Sequence, residues 1–373
     1  MSAEDLPEAD RVDGAPHPRD TARVYGQARA EADFLAAFAS ERLHHGWLLS
    51  GPRGVGKATL AWRIAAFLLT APDPAEEDGL FGAPPPPASL DVAPDHPVIH
   101  RLRALSEPRL HLLRRGWDDK TKRLRGVITV EEVRALKRFF TLSATDGGRR
   151  VVIVDAADEM NPNAANAILK LLEEPPARTT LLMVSHQPSR LLPTIRSRCR
   201  ELRLMPLDAA EMTQALAQAG AEVAPQEAAA LAELSAGSVG EALRLLGQDG
   251  LKLYADLVAL ADSLPRLDRQ KAMALGEATA GRGNEARLDQ LLTLTDRLMA
   301  RLARTGVTGA GPQVEAAPRE AEILRRLAPS AAAGRAWAQL AQEAGERARH
   351  ARAVNVDPAA LVLDLLLQWR KPA

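Results

Sequence analysis

Apolar and polar positions follow two different periods along the first half of the chain. Residues 29–42 place Ala32, Leu35 and Phe38 at helical spacing with Leu43 just beyond, and predict a helix. Residues 46–50 (Gly-Trp-Leu-Leu-Ser) form an apolar run too short for a helix, which predicts a buried strand. A glycine-rich turn leads straight into residues 57–69, where Leu60, Ile64, Phe67 and Leu68 share one helical face. The acid- and proline-rich stretch 71–87 stops that helix, and residues 71–100 read as loop. Helical spacing returns over 127–142 through Val130, Val133, Leu136 and Phe140, with Thr129 placed to cap the start and Glu132 three residues on. Asp146-Gly147-Gly148 ends this segment.

The next run, Val151-Val152-Ile153-Val154, is apolar throughout, as strands buried on both faces are. Asn161-Pro162 then reads as the cap and first residue of a helix over 163–174 that stops at Pro175-Pro176. Strands at 181–185 and near 201–204 complete an alternation of strands and helices, which implies right-handed crossovers and a mostly parallel α/β sheet with helices on both faces. Beyond Pro206 the strands disappear. Amphipathic Ala-, Leu- and Arg-rich segments, broken at Ala236-Gly237-Ser238, at Gly281-Arg282-Gly283 and over 306–312, predict a small helical domain over 206–250 and a helical bundle over 251–373.

Composition narrows the function classes. The chain has 373 residues, enough for two or three domains. Lys plus Arg and Asp plus Glu both number 48, so the chain as a whole has no long-range attraction for polyanions, and any grip on nucleic acid must be local or shared with partners. Hydrophobic content of 46% with only 3% aromatics suits Ala- and Leu-rich helices packed on helices. The lone Cys199 excludes an internal disulfide framework and a multi-thiolate zinc site, and the expectation is a reduced, cytoplasmic protein with no metal site and no membrane contact. Residues 1–20 open with Glu4, Asp5, Glu8, Asp10 and Asp13 against Arg11, the opposite of a basic export signal, and read as a flexible acidic tail.

The chemistry centres on Gly51-Pro52-Arg53-Gly54-Val55-Gly56-Lys57, set between a strand and a helix. In that context glycines let backbone N–H groups and a helix N-terminus converge on a phosphate, with Lys57 as point charge. The hydroxyl that should follow the lysine and hold magnesium is replaced by Ala58; Thr59 comes one residue late. The later strand supplies Asp155, but the acid expected beside it to orient water is Ala156. Asp158 and Glu159 follow in what reads as a solvated loop. His44 and His45 have no third ligand at metal spacing and read as structural. Ser185 ends its strand either as a polar sensor or as a satisfied core hydroxyl. The arginines of the C-terminal segments (Arg297, Arg301, Arg304, Arg325, Arg326, Arg347, Arg349, Arg352) read as solvated faces.

Four further segments carry a resemblance: Gly26-Gln27, Leu43-His44-His45-Gly46 before the phosphate loop, Leu171-Leu172-Glu173-Glu174-Pro175-Pro176, and Ile195-Arg196-Ser197-Arg198-Cys199. Together they resemble bacterial clamp-loader subunits of the AAA+ class over residues 20–245. The resemblance implies a P-loop AAA+ module over 21–205, a helical lid over 206–250 and a helical collar over 251–373. The motor subunits of that family keep the catalytic groups, a sensor arginine and a four-cysteine zinc module. Here Ala58, Ala156 and Gly240 stand at the motor positions, which points to the stationary delta prime branch. Segment 71–126 replaces the zinc module, and it reads equally as disordered, as a partner contact or as a remnant.

The resemblance implies that Arg198 acts in trans as an arginine finger on a neighbouring subunit's ATP, and that Cys199 is a packing residue. It implies a degenerate nucleotide site at Gly51, Gly54, Gly56, Lys57, Thr59 and Asp155 that needs no cofactor and holds ATP or ADP weakly or not at all. The implied partners are tau/gamma ATPase subunits, the clamp-opening delta subunit and, through the complex, the sliding clamp and primed DNA. Polymerase activity would belong to the DNA polymerase III holoenzyme, and this chain's own ATPase would be absent. Two alternatives stand beside this: an active tau/gamma-like motor that recruits Glu159, and a lone DNA-binding module, which zero net charge disfavours.

Overall fold

The computed structural model describes residues 7–12, 15–40, 43–71, 87–142, 148–281, 283–354 and 356–372. The predicted stop at Asp146-Gly147, most of the stretch 71–87, and Arg282 lie outside the described residues, as does the side chain of Arg352. Two compact units form: Met1–Ala221 with Ser238–Gly240, and Glu222–Gly237 with Glu241–Ala373.

The first unit is built on five parallel strands: β1 (Gly46–Ser50), β2 (Leu110–Arg114), β3 (Arg150–Asp155), β4 (Thr179–Ser185) and β5 (Arg200–Arg203), in the order β2-β3-β4-β1-β5. Strand β1 lies between β4 and the edge strand β5, with Leu48 opposite Met183 on one side and Glu201 on the other. Helices α1 (Ala28–Ala39), α2 (Lys57–Thr70), α3 (Pro97–Arg103), α4 (Val130–Leu142), α5 (Pro162–Glu173), α6 (Pro193–Arg196) and α7 (Ala209–Gln218) connect and cover it. Leu48, Val152, Val154, Ile168, Leu181, Met183 and Ile195 form one core with Val133 and Leu136 of α4. Helix α2 is buried on almost every side rather than along one stripe.

Local signals act where the sequence places them. The side chain of Asn161 accepts the Ala164 N–H at 2.8 Å and starts α5 on Pro162. Glu132 accepts the Thr129 hydroxyl at 2.6 Å at the head of α4. Three expectations are corrected. The buried face of α1 is Ala30, Phe34, Leu35 and Ala37, so Leu35 of the predicted row is buried and Phe38 packs against Phe67, but Ala32 is exposed. Segment 71–126 contributes α3, the edge strand β2 and a short antiparallel pair, Trp117–Asp118 with Arg123–Leu124. The described part of the acidic N-terminal segment is held rather than frayed: Glu8 pairs with Arg19 at 2.7 Å and with Arg114 at 3.2 Å, and Asp10, its side chain fully buried, pairs with Arg114 and lies 3.2 Å from His17 Nε2.

The second unit is helical: α8 (Pro225–Leu234), α9 (Val239–Gly247), α10 (Gly250–Asp262), α11 (Arg269–Glu277), α12 (Glu285–Thr308), α13 (Glu320–Leu327), α14 (Ala331–Ala353) and α15 (Pro358–Leu367). The long helices α12 and α14 approach closely where Gly306 meets Gly334; a methyl group at Gly306 would lie 2.7 Å from the Gly334 Cα. A buried polar staple ties α10, α12 and α13. Glu320 accepts from Tyr254 at 2.6 Å and from Arg301 Nε at 2.6 Å, and its second oxygen accepts the Ala316 N–H at 2.7 Å. Arg301, read from sequence as a solvated face, is the cation of this staple. Among the described residues no helix is long and apolar enough to cross a membrane.

Candidate phosphate-loop site and the Arg198 surface

The carboxyl ends of β1, β3 and β4 and the start of α2 gather the first group of candidates. Gly51, Gly54 and Gly56 have φ of 143, 79 and 96°, a left-handed path that side chains resist. At Gly54 space is also short: a Cβ there would lie 2.3 Å from Ser238 Oγ, and the Gly54 carbonyl accepts the Gly240 N–H at 3.3 Å. Gln27, quoted above only for its resemblance, is a buried clamp. Its amide donates to Met205 O at 2.8 Å and to Val55 O at 3.3 Å, and accepts from Met205 N at 3.0 Å, which ties the loop to the chain leaving β5.

Lys57 is buried, and its ammonium donates to the carbonyl oxygens of Gly51, at 2.8 Å, and Pro52. Burial lowers its pKa to about 8, against the opposing pull of Asp155 and Asp158. Asp155 ends β3 and is pushed up to about 7, first by burial and then by the charges of Asp10 and Glu159, with Lys57 and Arg53 acting against the rise. Thr59 is half-buried on α2 and Ala58 carries no oxygen, so the residues suit a phosphate better than a magnesium ion.

Asp158 and Glu159 are not solvated loop residues. They sit in a single 3₁₀ turn, where Asp158 accepts the His186 N–H at 2.9 Å and Glu159 pairs with Arg115 at 2.8 Å. His186, which no sequence pattern singled out, is lowered to about 4 by burial and by Lys57. Ser185 Oγ is fully buried and has no hydrogen-bond partner among the described residues. The N-terminal segment also reaches this region. Burial of Asp10 is outweighed by His17 and Arg114, which hold its carboxyl below the usual range, and Val12 lies against Gly240 beside Gly54.

Arg198 is not part of this group. It lies between α6 and β5, and a Cβ on Gly46, the first residue of β1, would be 3.1 Å from its carbonyl oxygen. The phosphate loop follows Ser50, the last residue of the same strand, so the two sit at opposite ends of the sheet, separated by about 13 Å or more of strand. The Arg198 side chain is 37% exposed; it pairs with Glu173 at 3.0 Å and donates to Thr194 O at 3.0 Å. Cys199 packs its sulfur 3.8 Å from that of Met183, and burial pushes its thiol up to about 12, which suits packing and not nucleophilic attack. His44 and His45 stack at 4.5 Å, and His45 Nε2 lies 2.9 Å from Leu172 O.

A family model described as "DNA polymerase III, delta subunit" matches residues 26–208. The delta' subunit of DNA polymerase III from Escherichia coli is 31% identical over 338 residues, 90% of this chain and 91% of that protein. This chain belongs to the delta prime family of clamp-loader proteins. The delta' subunit of Pseudomonas aeruginosa is 39% identical over 57% of this chain, a match that spans 59% of that relative's length. The tau subunit of Escherichia coli is 28% identical over 76% of this chain and 41% of its own length. The parallel sheet with its helices and the helical second unit agree with the α/β module followed by helices that the sequence predicts.

Proposed function

We propose that this chain is the stationary subunit of a replicative clamp loader. It assembles with gamma/tau-type ATPase subunits and a delta-type clamp-opening subunit, and the complex places the sliding clamp on primed DNA. Arg198 is presented to ATP held by a neighbouring subunit, where its planar guanidinium stabilises charge on the phosphoryl group in flight. The observation that carries this reading is the position of Arg198: partly exposed, and at the far end of the sheet from the chain's own glycine-rich loop.

The chain's own site does not turn over nucleotide. A phosphate entering it would meet the backbone of residues 51–57 and Lys57, which must first leave the carbonyls of Gly51 and Pro52. ATP or ADP is therefore held weakly, with no hydroxyl at position 58 for magnesium. The motor alternative needs Glu159 to orient water, and the Glu159–Arg115 pair commits that carboxylate elsewhere.

The test is clamp- and DNA-stimulated ATP hydrolysis by the reconstituted loader, with Arg198→Ala compared at equal assembly. Arginine fingers in other nucleotide hydrolases are worth about 10³–10⁵ in rate, and a fall of at least about tenfold is expected. An unchanged rate refutes the finger.

A further inference from the structure

Glu173 is the last residue of α5, fixed there because Pro175-Pro176 cannot continue the helix. A carboxylate at a helix C-terminus faces the negative end of the dipole and needs a cation. Arg198 supplies it: one terminal nitrogen lies 3.0 Å from Glu173 Oε1, and the other donates to the Thr194 carbonyl at 3.0 Å. One terminal nitrogen is thus held by a directed hydrogen bond and the other by an ion pair, on two different elements, which restrains the guanidinium while leaving N–H donors open among the described residues. The pair is built from residues 25 positions apart. It is 37% exposed on the arginine side and 49% on the glutamate side, so it orders the side chain without burying it.

We infer that Glu173 is a positioning residue for Arg198, holding the guanidinium so that its open donors are aligned before a neighbour's nucleotide arrives. The inference rests on the trans role proposed above. An exposed arginine that wanders among rotamers must be ordered at the moment of reaction; one held by Glu173 and the Thr194 carbonyl has been ordered already. Exposed pairs of this kind are individually weak, and the expected consequence of losing this one is a fall of about two- to fivefold in turnover.

The experiment uses the reconstituted loader carrying Glu173→Ala, Arg198→Ala, or both, at matched assembly and matched melting temperature of the complex. The expected result is a two- to fivefold lower kcat for Glu173→Ala with KM for ATP unchanged, and a double variant no slower than Arg198→Ala alone. A wild-type kcat for Glu173→Ala overturns the inference, as does a double variant slower than Arg198→Ala by the full Glu173→Ala factor. If Arg198→Ala itself leaves the rate unchanged, the finger reading falls and takes this inference with it. If only Arg198→Ala has an effect, the finger stands and the positioning role of Glu173 does not.

Discussion

Replacing Asp155 by Asn separates the electrostatics of the phosphate-loop site from its packing. Asp155 is buried at the end of β3, near the carboxylates of Asp10 and Glu159, and its folded-state pKa is raised from 3.8 to about 7. Between those two values the folded protein keeps a proton that the unfolded chain has released. Stability contributed by that proton is present below pH 3.8, declines as pH rises, and is gone above pH 7. A rise of this size corresponds to about 4 kcal/mol of destabilisation above neutrality, at 1.36 kcal/mol per factor of ten in acidity. Asparagine has no charge to bury. It also deprives the buried Lys57 of one compensating carboxylate, which returns part of the gain, so the expected net effect is about 2 kcal/mol of added stability at pH 8. Near pH 4 wild type and variant should be equal within about 0.5 kcal/mol. Urea unfolding of both proteins at the two pH values, with the m-value checked for constancy, measures the difference. A variant equally stabilised at both pH values, or destabilised at pH 8, refutes the reasoning.

The remaining predictions concern the helical unit and α5. Glu320→Ala removes the shared acceptor of Tyr254, Arg301 and Ala316 from a fully buried position, and should cost about 3–5 kcal/mol in chemical denaturation of the second unit. A loss below about 1 kcal/mol would mean that the staple is not the principal polar tie there. Asn161→Ala deletes the cap of α5 and should lower stability by about 1 kcal/mol, whereas Asn161→Asp, which keeps the acceptor, should stay near wild type in the same assay.

Much of the first unit can be read from a few residues at a time. An apolar run, a glycine turn and a segment of helical period suffice to place β1, the glycine-rich loop and α2, although the all-round burial of α2 is visible only in the fold. Asn161 before Pro162, Thr129 before Glu132, and Pro175-Pro176 set helix ends through hydrogen bonds or missing donors within one turn. The vacancies at Ala58 and Ala156 are equally local. Strand β2 escaped because Leu110-His-Leu-Leu-Arg is short, carries His111 and Arg114, and follows a proline-rich stretch; only pairing with Val151–Asp155 makes it part of the sheet. The N-terminal acids look like a solvated tail until Arg114, about a hundred positions away, closes on Asp10. Glu159 with Arg115, Glu173 with Arg198, and Glu320 with Arg301 share that character: a charge is an ordinary surface residue in sequence, and its role depends on which distant element the fold brings against it. Local geometry and hydrophobic period are encoded over one or two turns of chain, which is why the α/β core, the glycine turn before Lys57 and the alanines at 58 and 156 are legible without the fold. The partners of the charged side chains depend on chain reversals tens of residues apart, so which carboxylates the arginines hold, and that Arg198 lies at the far end of the sheet from Lys57, follow from the packing of distant elements.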